Sequence, residues 1–131
     1  MEAGPRVRGG PGVLAQRRGQ SGEDTAARYL SGLGYVILER NFKTRFGEVD
    51  IVARDGATTV YVEVKRRETP EHGSAAEYVS PSKMRKVVGA ARIYAAKHGL
   101  SESPTRFDVI AIDVVAGNEQ LRHHRGAFDA R

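Results

Sequence analysis

Residues 47–67, GEVDIVARDGATTVYVEVKRR, place three charged groups, Asp50, Glu63 and Lys65, inside otherwise apolar, β-branched runs. Asp55-Gly56 separates two segments rich in Val, Ile, Thr and Tyr, a two-residue hairpin signal because both central residues of a type I′ turn need positive φ. The expected strands are 48–53 and 58–65, antiparallel, with Arg54 facing Ala57, Val52 facing Thr59, Asp50 facing Tyr61 and Glu48 facing Glu63. Alternation puts Glu48, Asp50, Val52, Tyr61, Glu63 and Lys65 on one face, and Val49, Ile51, Ala53, Val60, Val62 and Val64 on the other. The second face is wholly apolar and is expected in the core.

On the charged face, Glu63 becomes the diagonal neighbour of Asp50 at roughly 7–8 Å, close enough for both carboxylates to reach one ion. Charges on a strand buried on both sides are costly unless they are paired or bind a metal. A metal-binding hairpin and a structural Lys–carboxylate cluster at a sheet margin are both compatible with this spacing.

The chain of 131 residues has one domain's length and contains no cysteine, which excludes disulfides and thiolate metal sites. No apolar run approaches the roughly 20 residues of a membrane span, and the first residues alternate Arg, Gly and Pro without an apolar core. A cytoplasmic protein without membrane association is the expectation. The formal charge of +5 points to an anionic partner. Residues 1–20 carry Arg6, Arg8, Arg17 and Arg18 against Glu2, a net +3, which leaves +2 for the remaining 111 residues. This Gly- and Pro-rich tail, 1–20, is expected to be disordered and either adds phosphate affinity or is a solvated extension; 21–131 is the expected folded domain.

Ser21 serves as the expected N-cap of a first helix, with Glu23 and Asp24 in its first turn and Ala26, Ala27, Leu30 and Leu33 as its apolar stripe before Gly34. Glu23 projects from that stripe, either as an acid favoured by the helix dipole or as a further acid near the hairpin. A first strand, 35–39, runs into Asn41 and Phe42, and Lys43 and Arg45 lie on the connection to the hairpin. Residues 66–79 lack periodicity and read as a mobile loop. Ser80-Pro81 then opens a second helix with Met84, Val87, Val88, Ala91 and Tyr94 on its apolar face. Its polar side holds Lys83, Arg85, Lys86, Arg92 and Lys97 and no acid between Ser80 and His98, which is either a solvated face or a phosphate-contacting one.

Residues 106–115, RFDVIAIDVV, read as a central strand, and 121–125 as an edge strand able to pair with a second copy. The adjacent His123 and His124 point to opposite faces of a strand and are expected at the surface. The order helix, strand, hairpin, helix, strand, strand gives an α/β domain, a mixed central sheet flanked by helices.

Asp50 on one strand and Glu63-Val64-Lys65 on the next resemble the motif of the PD-(D/E)XK nuclease superfamily, with Val49 standing where the motif's naming proline would be. Gly22-Glu23, Ala26-Ala27, Tyr29-Leu30, Gly34-Tyr35, Asn41-Phe42, Gly47 to Asp50, Val62 to Lys65, Arg67, Lys83, Arg106 to Ile110 and Ala127-Phe128 together resemble the YraN family of small bacterial proteins taken for endonucleases. The resemblance covers about residues 20–128 and implies a restriction-endonuclease-like core, Holliday-junction-resolvase-like, with Mg²⁺ or Mn²⁺ as cofactor and DNA as partner. It implies Asp50 and Glu63 as metal-binding carboxylates, joined by the backbone carbonyl of Val64 and by Glu23 as the helix-borne acid, and Lys65 as the catalytic lysine. Arg45, Arg67, Lys83 and Lys86 are the expected nucleic-acid contacts. The implied activity is metal-dependent hydrolysis of DNA, on branched or single-stranded intermediates; the alternative is a nucleic-acid-binding or adaptor protein that keeps the fold without catalysis.

Overall fold

β-Branched and aromatic residues dominate the segments that pair into a sheet, and the two segments with helical spacing cover its faces. The computed structural model describes residues 11–68 and 79–130. In chain order the elements are α1 (Pro11–Gly32), β1 (Val36–Thr44), β2 (Gly47–Asp55), β3 (Thr58–Glu68), α2 (Pro81–Lys97), β4 (Thr105–Val115) and β5 (Asn118–Phe128). The five strands form one sheet in the order β1-β2-β3-β4-β5. Pairing is antiparallel except between β3 and β4, which run parallel with α2 as their crossover. The result is the expected α/β domain with a mixed sheet, consistent with a restriction-endonuclease-like core.

Each face of the sheet has its own core. Ala26 and Leu30 of α1 pack with Tyr35, Ile51, Ala53, Val60, Val62, Ile110 and Ile112. On the other face Val87, Val88, Ala90, Ala91 and Tyr94 of α2 pack with Phe42, Val49, Val52, Tyr61 and Phe107. A fully buried Val, Leu or Ile side chain contributes about 1.5–3 kcal/mol, so these two layers hold the strands together even with carboxylates at one end.

The structure corrects the hairpin register. Asp55 pairs with Thr58 and Ile51 with Val62, a shift of two residues from the expected alignment. Gly56-Ala57 is therefore the loop, and of the two only Gly56 has positive φ, at 61°, as a type II′ rather than a type I′ turn requires. Asp55 stays in the strand, where its Oδ2 accepts from Arg106 at 3.0 Å and from Arg125 at 3.3 Å. A second correction concerns alternation, because Val49 faces α2 whereas Ile51 faces α1. The strand pair stops at Ile51–Val62, so Asp50 lies where the regular pleat ends.

The first helix begins at Pro11 rather than at Ser21. The helix-forming run Leu14, Ala15, Gln16, Arg17 and Arg18 outweighs the local cap signal. The expected disorder of the tail thus meets helical backbone from residue 11, while residues 1–10 lie outside the described ones. β3 extends to Glu68, and the rest of the expected loop, 69–78, also lies outside them. Ser80 caps α2 as expected, its hydroxyl accepting from the Lys83 N–H at 3.1 Å. Among the described residues no helix is long and apolar enough to cross a membrane.

Candidate functional site

Where β2 and β3 part, Asp50 fills the gap. Its Oδ2 accepts the Val64 N–H at 2.8 Å, a backbone donor that would otherwise continue the ladder. The two-residue register shift brings Glu63 directly across from Asp50 instead of diagonal to it, and the two carboxyl groups are within hydrogen-bonding reach. They retain 7% and 5% exposure respectively. The cleft around them is open, about 540 Å³, and is lined by Gly22, Glu23, Asp50, Glu63, Val64, Lys65, Arg66, Glu68 and Lys83.

Four elements therefore meet at this end of the sheet. Glu23 enters from α1, its Oε1 accepting from Asn41 Nδ2 at 2.9 Å, with the Arg40 guanidinium at 3.6 Å. Asn41 adopts φ of 55°, a left-handed conformation that Asn tolerates better than most residues, and this lets β1 aim a side chain at α1. Lys83 enters from the first turn of α2, with Nζ 3.6 Å from Glu63 Oε2. Glu68 pairs with Arg66 at 3.1 Å on the rim.

Close approaches fix the spacing of these elements. A Cβ on Gly47 would fall 2.5 Å from the carbonyl oxygen of Lys86, so only glycine lets the start of β2 sit against α2. A Cβ on Gly22 would meet Arg66 at 3.3 Å, so α1 also lies close to β3 beside Glu23.

Electrostatics mark the site as strained. Burial, followed by the neighbouring charge of Asp50, pushes the Glu63 carboxyl up to about 8. Asp50 is also raised, by burial first, against the opposing pull of the Val64 N–H and the Lys83 ammonium. Glu23 is raised by burial and by Asp50. Glu63 Oε1 is buried without a hydrogen-bond partner. A cation at that point would satisfy the orphaned oxygen and relieve the repulsion between the acids, so the residues present fit a divalent metal. Among the described residues no group of three or more His, Asp or Glu side chains converges on one point, which leaves two carboxylates and the adjoining backbone as the donor set. That partial, all-oxygen set matches the habit of Mg²⁺, which binds through one or two carboxylates and keeps several waters.

Asp50, Glu63, Val64, Lys65 and Glu23 are brought together in the cleft, and Lys83, expected only as a nucleic-acid contact, joins them. Lys86 is exposed on α2 beside Gly47, and Arg45 is exposed at the β1–β2 turn. Arg67 lies outside the cleft lining, two positions beyond Lys65 on β3 and level with Asp113 of β4. Asn41 and Arg40 were missed as groups that hold Glu23. The available signal was an Asn inside a strand run, a residue that tolerates left-handed backbone.

The histidine expectation is half overturned. The His123 side chain is turned inward and only 6% exposed, with Nε2 2.7 Å from Asp108 Oδ2 and Nδ1 3.0 Å from the Tyr29 hydroxyl. Its place follows from β5 lying on β4, where His123 pairs with Ile110 under α1. Asp108, fully buried, also accepts from Arg106 Nε at 2.9 Å and from the Gly126 N–H at 3.0 Å. This satisfied network joins α1, β4 and β5.

The model of the uncharacterised protein family UPF0102 matches residues 22–112. A UPF0102 protein of Anaeromyxobacter dehalogenans (strain 2CP-C) is 45% identical over 92% of this chain and 90% of its own length. One from Geobacter sulfurreducens is 46% identical over 85% of this chain and 88% of its own length, and one from Persephonella marina 41% identical over 86% and 93%. The matched span contains every residue of the cleft lining.

Proposed function

The chain belongs to UPF0102, the YraN family, whose description assigns no activity, and on the chemistry of its cleft we propose that it is a metal-dependent endonuclease hydrolysing phosphodiester bonds in DNA. The observation that carries this reading is a pair of buried, mutually repelling carboxylates, one with an orphaned oxygen, opening onto a cleft beside Lys65 and Lys83.

Asp50 and Glu63, with the Val64 carbonyl, would hold Mg²⁺ or Mn²⁺, and Glu23 stands behind them as a further acid. The chemistry that a bound divalent cation supplies is polarisation of the phosphodiester and acidification of a neighbouring water. The chain's own residues do the rest. The Val64 N–H fixes the Asp50 carboxylate, so one ligand is oriented before any ion arrives. Lys65, on the same strand face as Glu63, orients the attacking water and offsets negative charge as it grows on the phosphoryl oxygens. Lys83, 3.6 Å from Glu63 Oε2, offsets the charge of that carboxylate and stands at the cleft where it would contact a phosphate oxygen. Lys86 and Arg45 extend the positive surface along the strand being cut, with Arg67 beyond Lys65.

A panel of duplex, single-stranded, flap and four-way DNA, incubated with Mg²⁺ and with Mn²⁺, tests the proposal. Cleavage by the wild type and its loss in folded Asp50→Ala and Lys65→Ala variants are expected. Equal cleavage by all three proteins would expose a contaminant and defeat the reading.

The small donor set favours a second reading, a nucleic-acid-binding or adaptor protein that keeps the fold without turnover. It requires salt-sensitive binding that survives Asp50→Ala and needs no metal. Metal-dependent binding that ignores salt would count against it.

A further inference from the structure

The β1–β2 turn carries an aromatic ring that neither core uses. Phe46 is 53% exposed at its tip. Turn chemistry favours Gly, Asn, Asp, Ser or Pro there, and offers no reason for a large apolar ring. The tip is nevertheless rigid: the Thr44 hydroxyl accepts the N–H groups of Phe46 at 3.0 Å and of Gly47 at 3.2 Å, and donates to the Gly47 carbonyl at 3.0 Å. Gly47 seats the turn against Lys86, and Gly89 lies under the Phe46 Cβ. The Arg45 guanidinium sits 5.0 Å from the ring centroid.

Lys83, Lys86 and Gly89 are three residues apart along α2. Lys83 touches Glu63 in the cleft, Lys86 touches Gly47, and Gly89 touches the turn that bears Phe46. The six residues from the first to the last span about 9 Å of helix rise, which is two to three nucleotides of a stacked strand at about 3.4 Å each. Two lysines, Lys83 and Lys86, thus lie between the carboxylates and a pre-positioned aromatic ring whose one face carries the Arg45 guanidinium and whose other face is left for a base, the combination that single-strand binders use.

We infer that Phe46, with Arg45, is a stacking platform for an unpaired nucleobase two to three nucleotides from the phosphate in the cleft, which makes single-stranded or branched DNA the preferred substrate. The inference rests on the cleft being a nucleic-acid site. A base inside an intact duplex already has both faces stacked and cannot lie on the ring; an unpaired base has a face available.

The chain contains no tryptophan, so Phe46→Trp creates a single reporter that preserves stacking. On an Asp50→Ala background, which removes cleavage, this protein is titrated without metal with a single-stranded oligonucleotide, its abasic counterpart and a blunt duplex of the same length. Quenching by the normal single strand and little by the abasic one are expected. Phe46→Ala should weaken single-strand binding about 10-fold, as loss of one stacked base implies, and change duplex binding by less than about twofold. Unchanged affinity for both DNAs in Phe46→Ala overturns the inference, as does a dimer that Phe46→Ala dissociates without any effect on DNA, since the ring would then cover a second copy. Base-dependent quenching with no cleavage in the substrate panel would support the platform while defeating only the catalytic reading of the cleft.

Discussion

Glu63 is the residue on which the cleft turns. With its carboxyl pushed up to about 8, the folded protein binds more protons than the unfolded chain from the ordinary glutamate range up to that value. Stability contributed by this group is present at acid pH and lost as pH rises through about 8. Without divalent cations, melting temperature should therefore fall between pH 5 and pH 8, and Glu63→Gln, a mimic of the neutral acid, should flatten that fall. A wild-type profile already flat in this window would refute the assignment. Added Mg²⁺ should raise the melting temperature of the wild type at pH 8 and do so much less for the Gln variant, because only the native carboxylate pair binds the ion. Asn41→Gly, which keeps the left-handed backbone accessible, removes the amide hydrogen bond to Glu23 and leaves only the Arg40 contact, which makes it a probe of whether that acid's placement matters to metal affinity.

At the scale of elements, the site depends on how closely β2 and α2 approach. Gly47→Ala places a methyl group 2.5 Å from a helix carbonyl, so either the turn or the helix must shift. The expected cost is about 2 kcal/mol in chemical denaturation, typical of overpacking. A variant as stable as the parent would show that the contact is not tight. Ser80→Ala should cost about 1 kcal/mol through loss of the α2 N-cap. The hairpin shows why the sequence located the site although its register was off by two. An even shift leaves the side chains of the paired segment on their own faces, and although Val49 departs from the alternation, Asp50, Glu63 and Lys65 still line one cleft. The same shift converts a diagonal carboxylate pair into a directly opposed one, and the stronger repulsion between them follows.

For the whole molecule, the junction of α1, β4 and β5 is secured by Asp108. Burial alone would raise its pKa, but hydrogen bonds from Arg106, the Gly126 N–H and His123 outweigh burial and hold it below the usual aspartate value. A depressed folded-state pKa gives stability that is present above the unfolded value and lost as pH falls through the folded one, so acid should unfold the protein partly by protonating this group. Asp108→Asn should cost about 3 kcal/mol or more, since it leaves Arg106 without its buried partner, and should lessen the acid sensitivity of what remains. Denaturation curves at pH 3 and pH 7 check both. Loss of less than about 1 kcal/mol would mean that water replaces the carboxylate there.

The sequence by itself determined the α/β class, the two helices, the central strand and the three charges that share a strand face, because hydrophobic period and turn residues are local properties of the chain. It also carried the family pattern that the comparisons bear out. Tertiary structure alone decided the rest. Lys83 reaches Glu63 because α2 crosses over the sheet, Asn41 finds Glu23 because β1 bends where β2 loses its pleat, and the His123 side chain turns inward because β5 extends the sheet beneath α1. Each of these joins residues distant in sequence, and no local spacing encodes such contacts; they exist only once two layers of side chains have packed against one sheet.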